Sequence, residues 1–155
     1  MTTLENAASR PLSPSLGAIT DRLAPFADPL VRATAGLFLV PHGAQKLFGW
    51  FGGYGLEATS QYFATKLGMP ASFALIAGLI EFAGGILLAI GFLTRPVAAL
   101  VAGLLLVAAQ VHIAKGFFWS AGGYEYPVFW AIVAIAYVLR GGGRYSVDAA
   151  IGREI

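Results

Sequence analysis

Two histidines are present, and each stands near the end of an apolar run with a lysine a few residues on. "PHGAQKLFG" (residues 41–49) carries His42, Gln45 and Lys46, which at i, i+3 and i+4 share one helical face. "VHIAKGFF" (111–118) carries His112 and Lys115, three residues apart, and is followed by Trp119. Glu81 sits inside the apolar run "LIEFAGG", and "GGYEYP" supplies Tyr124 and Glu125. Imidazoles, carboxyls and rings in such a mixture can hydrogen-bond the two oxygens of a quinone, pack its ring and relay protons. His42, Gln45, Lys46, Glu81, His112, Lys115, Trp119, Tyr124 and Glu125 are therefore the candidate binding residues, with Glu81, His42 and His112 as the candidate catalytic groups.

The elements that must position these groups are membrane helices. The chain has 155 residues, 57% hydrophobic and 12% charged, with mean hydropathy +0.73, against about 25% charged in an average soluble domain. Four spans are predicted, about Leu30–Phe48, Pro70–Phe92, Val97–Lys115 and Pro127–Leu139, the last one short. Pro70 and Pro127 suit first helical turns, "GFLTRP" folds spans two and three into an antiparallel hairpin, and "RGGGR" ends span four. The expected architecture is an all-α, integral membrane four-helix bundle over residues 29–140. Residues 1–28 form a poorly ordered or interfacial segment, in which "LGAITDRLAPF" suits a short surface helix, and 141–155 form a tail with a short helix capped by Ser146. No basic start and apolar core of a cleaved signal is visible, so the first span is expected to act as its own uncleaved signal.

Seven arginines (Arg10, Arg22, Arg32, Arg95, Arg140, Arg144 and Arg153) fall on the side of the termini, and three lysines (Lys46, Lys66 and Lys115) on the other. The positive-inside rule then puts both termini in the cytoplasm and the loops 49–69 and 116–126 outside. The outward loops also hold more aromatic residues than one interfacial belt needs. Zero cysteines exclude disulfides, thiol catalysis, iron–sulfur clusters and thiolate zinc sites. A net charge of +2 spread around the spans points to lipid rather than nucleic acid.

At about 1.5 Å per residue, His42 and His112 lie roughly 8–12 Å beneath the outer boundary and Glu81 near the bilayer centre. An ionised Glu81 there costs at least about 2.5–3.5 kcal/mol, so it must be neutral or partnered. Gly78, Gly84 and Gly85, three or four residues away, let a helix or ligand approach it. Structural readings compete throughout: Glu81 as a protonated interhelical donor, Lys46 snorkelling to head groups, His42 bonding a carbonyl freed by Pro41, and Glu125 as a cap or as a salt-bridge partner of Lys46 or Lys115.

Four ordered blocks, "RATAGLFLVPHGAQKLFG", "EFAGGILLAIGFLTRPVA", "VHIAKGFF" with "GGYEYP", and "RGGGRYSVD", resemble the DoxX family of small four-helix bacterial membrane proteins. The resemblance includes the small subunit of thiosulfate:quinone oxidoreductase, and its motif positions fall on His42, Gln45, Lys46, Glu81, Arg95, His112 and Glu125. It implies a multi-pass protein of the bacterial inner membrane, associated with a soluble or membrane oxidoreductase subunit and a quinone-like ligand. A homo-oligomer is compatible with it. A non-catalytic anchor or assembly subunit is the alternative. Haem or metal ligation by the two histidines and small-solute transport are weaker ones; covalent haem and a dedicated metal site are not expected.

Overall fold

The computed structural model describes residues 12–154, within which every regular element is helical. Helix α1 (Pro14–Leu23) leads through a short 3-10 turn into α2 (Ala27–Phe48). A 12-residue helix, α3 (Gly55–Lys66), precedes α4 (Ser72–Leu79), which runs through a π turn (Ile80–Gly84) into α5 (Gly85–Ile90). Helices α6 (Thr94–His112), α7 (Glu125–Arg140) and the four-residue α8 (Val147–Ala150) complete the chain. Of the N-terminal segment, residues 1–11 lie outside the described residues; α1 occupies much of the rest.

Three helical stretches are long and apolar enough to cross a membrane: Pro14–Phe48 (35 residues), Ser72–Ile90 (19) and Thr94–Lys115 (22). Helix α7, at 16 residues, is about 24 Å long and falls short of that criterion. It nevertheless follows α6 from end to end. At one end the Tyr124 and Glu125 amides donate to the Gly116 and Phe117 carbonyls; at the other, a Cβ on Gly142 would lie 2.7 Å from the Thr94 hydroxyl. The shared core is built from Val97, Val101 and Leu105 of α6 against Ala131, Ala134 and Tyr137 of α7, with Leu39 and Leu88 behind them. Large apolar side chains such as Leu37, Ile76, Leu100 and Ile132 stay on the outside, where acyl chains rather than water suit them.

Small residues decide how closely α2 meets the second span. A Cβ added to Gly85 would stand 2.7 Å from the Gly36 carbonyl, and one on Gly43 would overlap the Phe82 backbone. Such contacts bring helix backbones together without a hydrophobic driving force. Pro41 lies inside α2 and does not end it. Proline forfeits one amide donor, and packed neighbours in a bundle hold the remaining ladder in register.

The C-terminal tail clamps the opposite end. Ser146 caps α8 as expected, accepting from the Ala149 amide at 3.0 Å. Asp148 does more than sit in a first turn: its carboxylate accepts from the amides of Leu93 (2.8 Å) and Thr94 (2.9 Å) and from the Thr94 hydroxyl (2.7 Å). It thereby caps α6 and holds Leu93, which is left-handed at φ 50°. Arg32, 2% exposed, donates to the Tyr145 carbonyl at 2.6 Å and covers Gly91, where a side chain would collide with its guanidinium.

Burial alone would push the Asp148 carboxyl up, but the Thr94 and Leu93 donors and the charge of Arg32 hold it below the usual carboxylate value. With the folded-state value below the unfolded one of about 3.9, its stabilisation is complete above that value and disappears as pH falls through the folded one. Asp148→Asn should therefore lower the unfolding temperature in detergent at neutral pH, and its gap to wild type should shrink steadily below about pH 4. A gap that is constant with pH would remove the ionised cap from the account.

Candidate functional site

On α2, Ala35, Phe38, Leu39, His42 and Lys46 fall at helical spacings that put them on one face. That face forms one wall of a cavity of about 700 Å³, within the 300–1,000 Å³ typical of small-molecule sites. Glu81 comes from the π turn, Leu105, Ala108 and His112 from α6, and Glu125, Tyr126, Pro127, Phe129 and Trp130 from α7. Four helical units thus line it. From Ala35 to Lys46 it spans about 16 Å along α2.

The polar floor is an ion pair. Lys46 Nζ lies 2.6 and 2.9 Å from the two Glu81 carboxylate oxygens. Glu81 is 9% exposed, and the side chains of Lys46 and Glu81 are 25% and 11% exposed. The acid near mid-span is therefore partnered, and its partner descends from the last turn of α2, where a cation also suits the helix dipole. Lys46 turns to this carboxylate and does not snorkel to the head groups. The two helices meet closely at Gly43 and Gly78, where a Cβ would run into Phe82 and Leu47 respectively, so a lysine of ordinary length reaches a carboxylate 35 positions along the chain. The π turn carrying Glu81 inserts an extra residue per turn, a device that often re-aims a side chain at functional sites.

His112 lies 2.6 Å through Nδ1 from the Gly122 carbonyl. A carbonyl only accepts, so Nδ1 carries the proton and Nε2 of a neutral ring is left as an acceptor. A phenylalanine–tryptophan pair lines the apolar side, Phe38 and Trp130 meeting edge-on at 5.8 Å.

Five candidate residues, His42, Lys46, Glu81, His112 and Glu125, converge on this cavity, and four do not line it. Gln45 donates to the Phe51 carbonyl at 3.1 Å, latching the turn at Trp50–Gly52, and lines a separate outer pocket of about 280 Å³ with Lys46 and Tyr62. Lys115 lies along Gly122, Tyr124 sits edge-on to Phe117 at 5.6 Å, and Trp119 stacks on Tyr126 at 5.1 Å. Glu125 makes no salt bridge with Lys46 or Lys115; it opens α7 and accepts from the Trp119 amide at 3.1 Å. Arg95 lies at the far end, 3.7 Å from Glu154. Among the described residues no group of three or more metal-ligating side chains gathers.

Phe38 was absent from the sequence-derived set, although its place one turn before His42 was available as a signal. Arg32 had counted only as a topological charge, and nothing local marks it as buried. The π turn has no signature beyond the adjacent glycines.

Residues 27–114, more than half of the chain, match the DoxX family model. No curated protein and no solved structure gives a match. The matched region holds α2 to α6, with His42, Lys46, Glu81 and His112, and leaves Glu125 and α7 outside it.

If the ion pair is the cost-neutral way to keep two charges in the bundle, removing either partner strands the other. Lys46→Met and Glu81→Gln should each destabilise the protein in detergent by about 2 kcal/mol or more, below the full buried-pair range because Lys46 is a quarter exposed. The double variant should recover much of the loss in a thermal or denaturant unfolding series. Strict additivity of the two losses would show that the groups do not depend on each other.

Proposed function

The chain belongs to the DoxX family of membrane proteins, and from that premise we propose that it binds a quinone-like ligand in the cavity between α2, α6 and α7, as a membrane subunit or accessory of an oxidoreductase system in the bacterial inner membrane. The observation that carries this reading is the convergence of two imidazoles, an ion pair and a ring-lined wall on one cavity of about 700 Å³. A planar ring would pack against Phe38 and Trp130; its carbonyl oxygens, which only accept, would take hydrogen bonds from His42 and the Lys46 ammonium, and a hydroxyl of the reduced ring would donate to His112 Nε2. A quinone supplies two-electron, two-proton chemistry. The protein's part is to bind and orient the ring, to exclude water, and to hold protons at the imidazole nitrogens and the Glu81 carboxyl.

The reading includes four crossings with both termini in the cytoplasm. Support for a fourth comes from α7 running the full length of α6, with the loops at both ends adding reach to its 16 residues. The distribution of arginine and lysine supports the orientation. An assembly role is favoured by the exposed rings of the outer loops, Phe51, Tyr54 and Phe118 among them.

Titration of the purified protein with a short-chain ubiquinone or menaquinone analogue and with its reduced quinol should give saturable binding, weakened about five- to tenfold by His42→Ala for the quinone and by His112→Ala for the quinol. No saturable binding to wild type, with these substitutions instead lowering the yield of a co-purifying complex, would leave the assembly role in its place. Because the chain has no cysteine, Ser120→Cys and Ala150→Cys report topology cleanly. An impermeant maleimide should label the first in intact cells and the second only after lysis; labelling of both from one side would defeat the four-span arrangement.

A further inference from the structure

A second cavity, of about 410 Å³, lies at the opposite end of the bundle, between the start of α2 and the "RGGGRY" turn after α7. Its polar lining is Asp28, Arg140, Gly142, Gly143, Arg144 and Tyr145. Asp28 and Arg140 form an ion pair, and the Asp28 carbonyl accepts from the Tyr137 hydroxyl at 2.8 Å, so the two walls are tied together. Tyr145 is fixed twice: its carbonyl accepts from buried Arg32, and its ring stacks on Phe26 at 5.3 Å. Arg144 rests its guanidinium carbon 5.6 Å from the centre of that ring. Stacking engages the face of the guanidinium and leaves its in-plane N–H groups free. Among the described residues no carboxylate pairs with Arg144.

We infer that this cavity is a binding site for the singly charged phosphodiester of an anionic lipid headgroup. Once Asp28 and Arg140 neutralise each other, one positive charge remains, on Arg144, and it matches one phosphodiester. The position fits a lipid better than a free phosphate. Leu30 and Leu139, 67% and 75% exposed, lie on the membrane side of the same two segments and offer apolar surface to acyl chains. Basic pockets at the ends of membrane helices serve this role in general. The inference rests on α7 crossing the bilayer, which the cysteine labelling tests separately, and is independent of any ligand in the larger cavity.

The full chain in neutral detergent is titrated with phosphatidylglycerol, with phosphatidylcholine of the same acyl chains, and with inorganic phosphate, read by native mass spectrometry and thermal shift. Phosphatidylglycerol should bind about fivefold tighter than phosphatidylcholine, the factor that one arginine near a charged surface supplies, and should raise the unfolding temperature where phosphate does not. Arg144→Ala and Arg144→Gln, at an exposed position, should erase the preference while leaving lipid-free stability unchanged; Arg22→Ala, outside the cavity, should retain it. Equal binding of the two lipids, an equal response to inorganic phosphate, or an equal loss in Arg22→Ala each overturns the assignment.

Discussion

The close approach of α2 to the second span is the constraint on which the rest of the molecule depends. An acid near the middle of an apolar helix is tolerable only if its charge is met, and the countercharge must come from another helix at short range. Glycines at positions 36, 43, 78 and 85 remove the side chains that would hold the backbones apart. Lys46 then folds inward onto Glu81, at 2.6 Å from one of its oxygens, instead of reaching out to the head groups. In a low-dielectric interior such a pair is strong in attraction and costly to desolvate, so the two effects largely offset each other.

Satisfying Glu81 in this way also shapes the cavity. Lys46 and Glu81 line the same space as the Phe38, Phe129 and Trp130 rings and as His42, His112 and Glu125. Lys46 lines both this space and the smaller pocket beside Gln45 and Tyr62. The contact of His112 Nδ1 with the Gly122 carbonyl fixes which of its nitrogens is left as an acceptor.

At the other end, polar groups work as a clamp. Asp148 satisfies amides that the start of α6 leaves without helical partners, and Arg32 fills the space above Gly91. These contacts join the tail to the ends of α2, α5 and α6, and they hold Tyr145 as a rigid wall beside Arg144. The bundle thus concentrates its polar side chains in two layers, with a core rich in alanine and leucine between them.

Local chemistry made much of this legible in the sequence. Apolar length revealed membrane helices, glycine and proline marked their ends, and Ser146 announced its cap, because each of these effects acts within a few residues. Counting along the helices grouped His42, Gln45, Lys46, His112, Lys115, Tyr124 and Glu125 toward one end of the bundle with Glu81 near its middle, and of these Gln45, Lys115 and Tyr124 do not line the cavity. Partner choice did not follow. That Lys46 meets Glu81 while Glu125 turns to the Trp119 amide, and that Gln45 and Trp119 are absorbed by neighbouring loops, depends on rotation and separation of helices far apart in the chain. Arg32 and Asp148 read as a topological charge and a first-turn acid, yet they are buried, because residues more than 50 positions away fold over them. Periodicity and composition constrain which face of a helix is polar and how deep it sits; which groups finally touch is set by interhelical packing, where a missing Cβ can decide whether two charges meet.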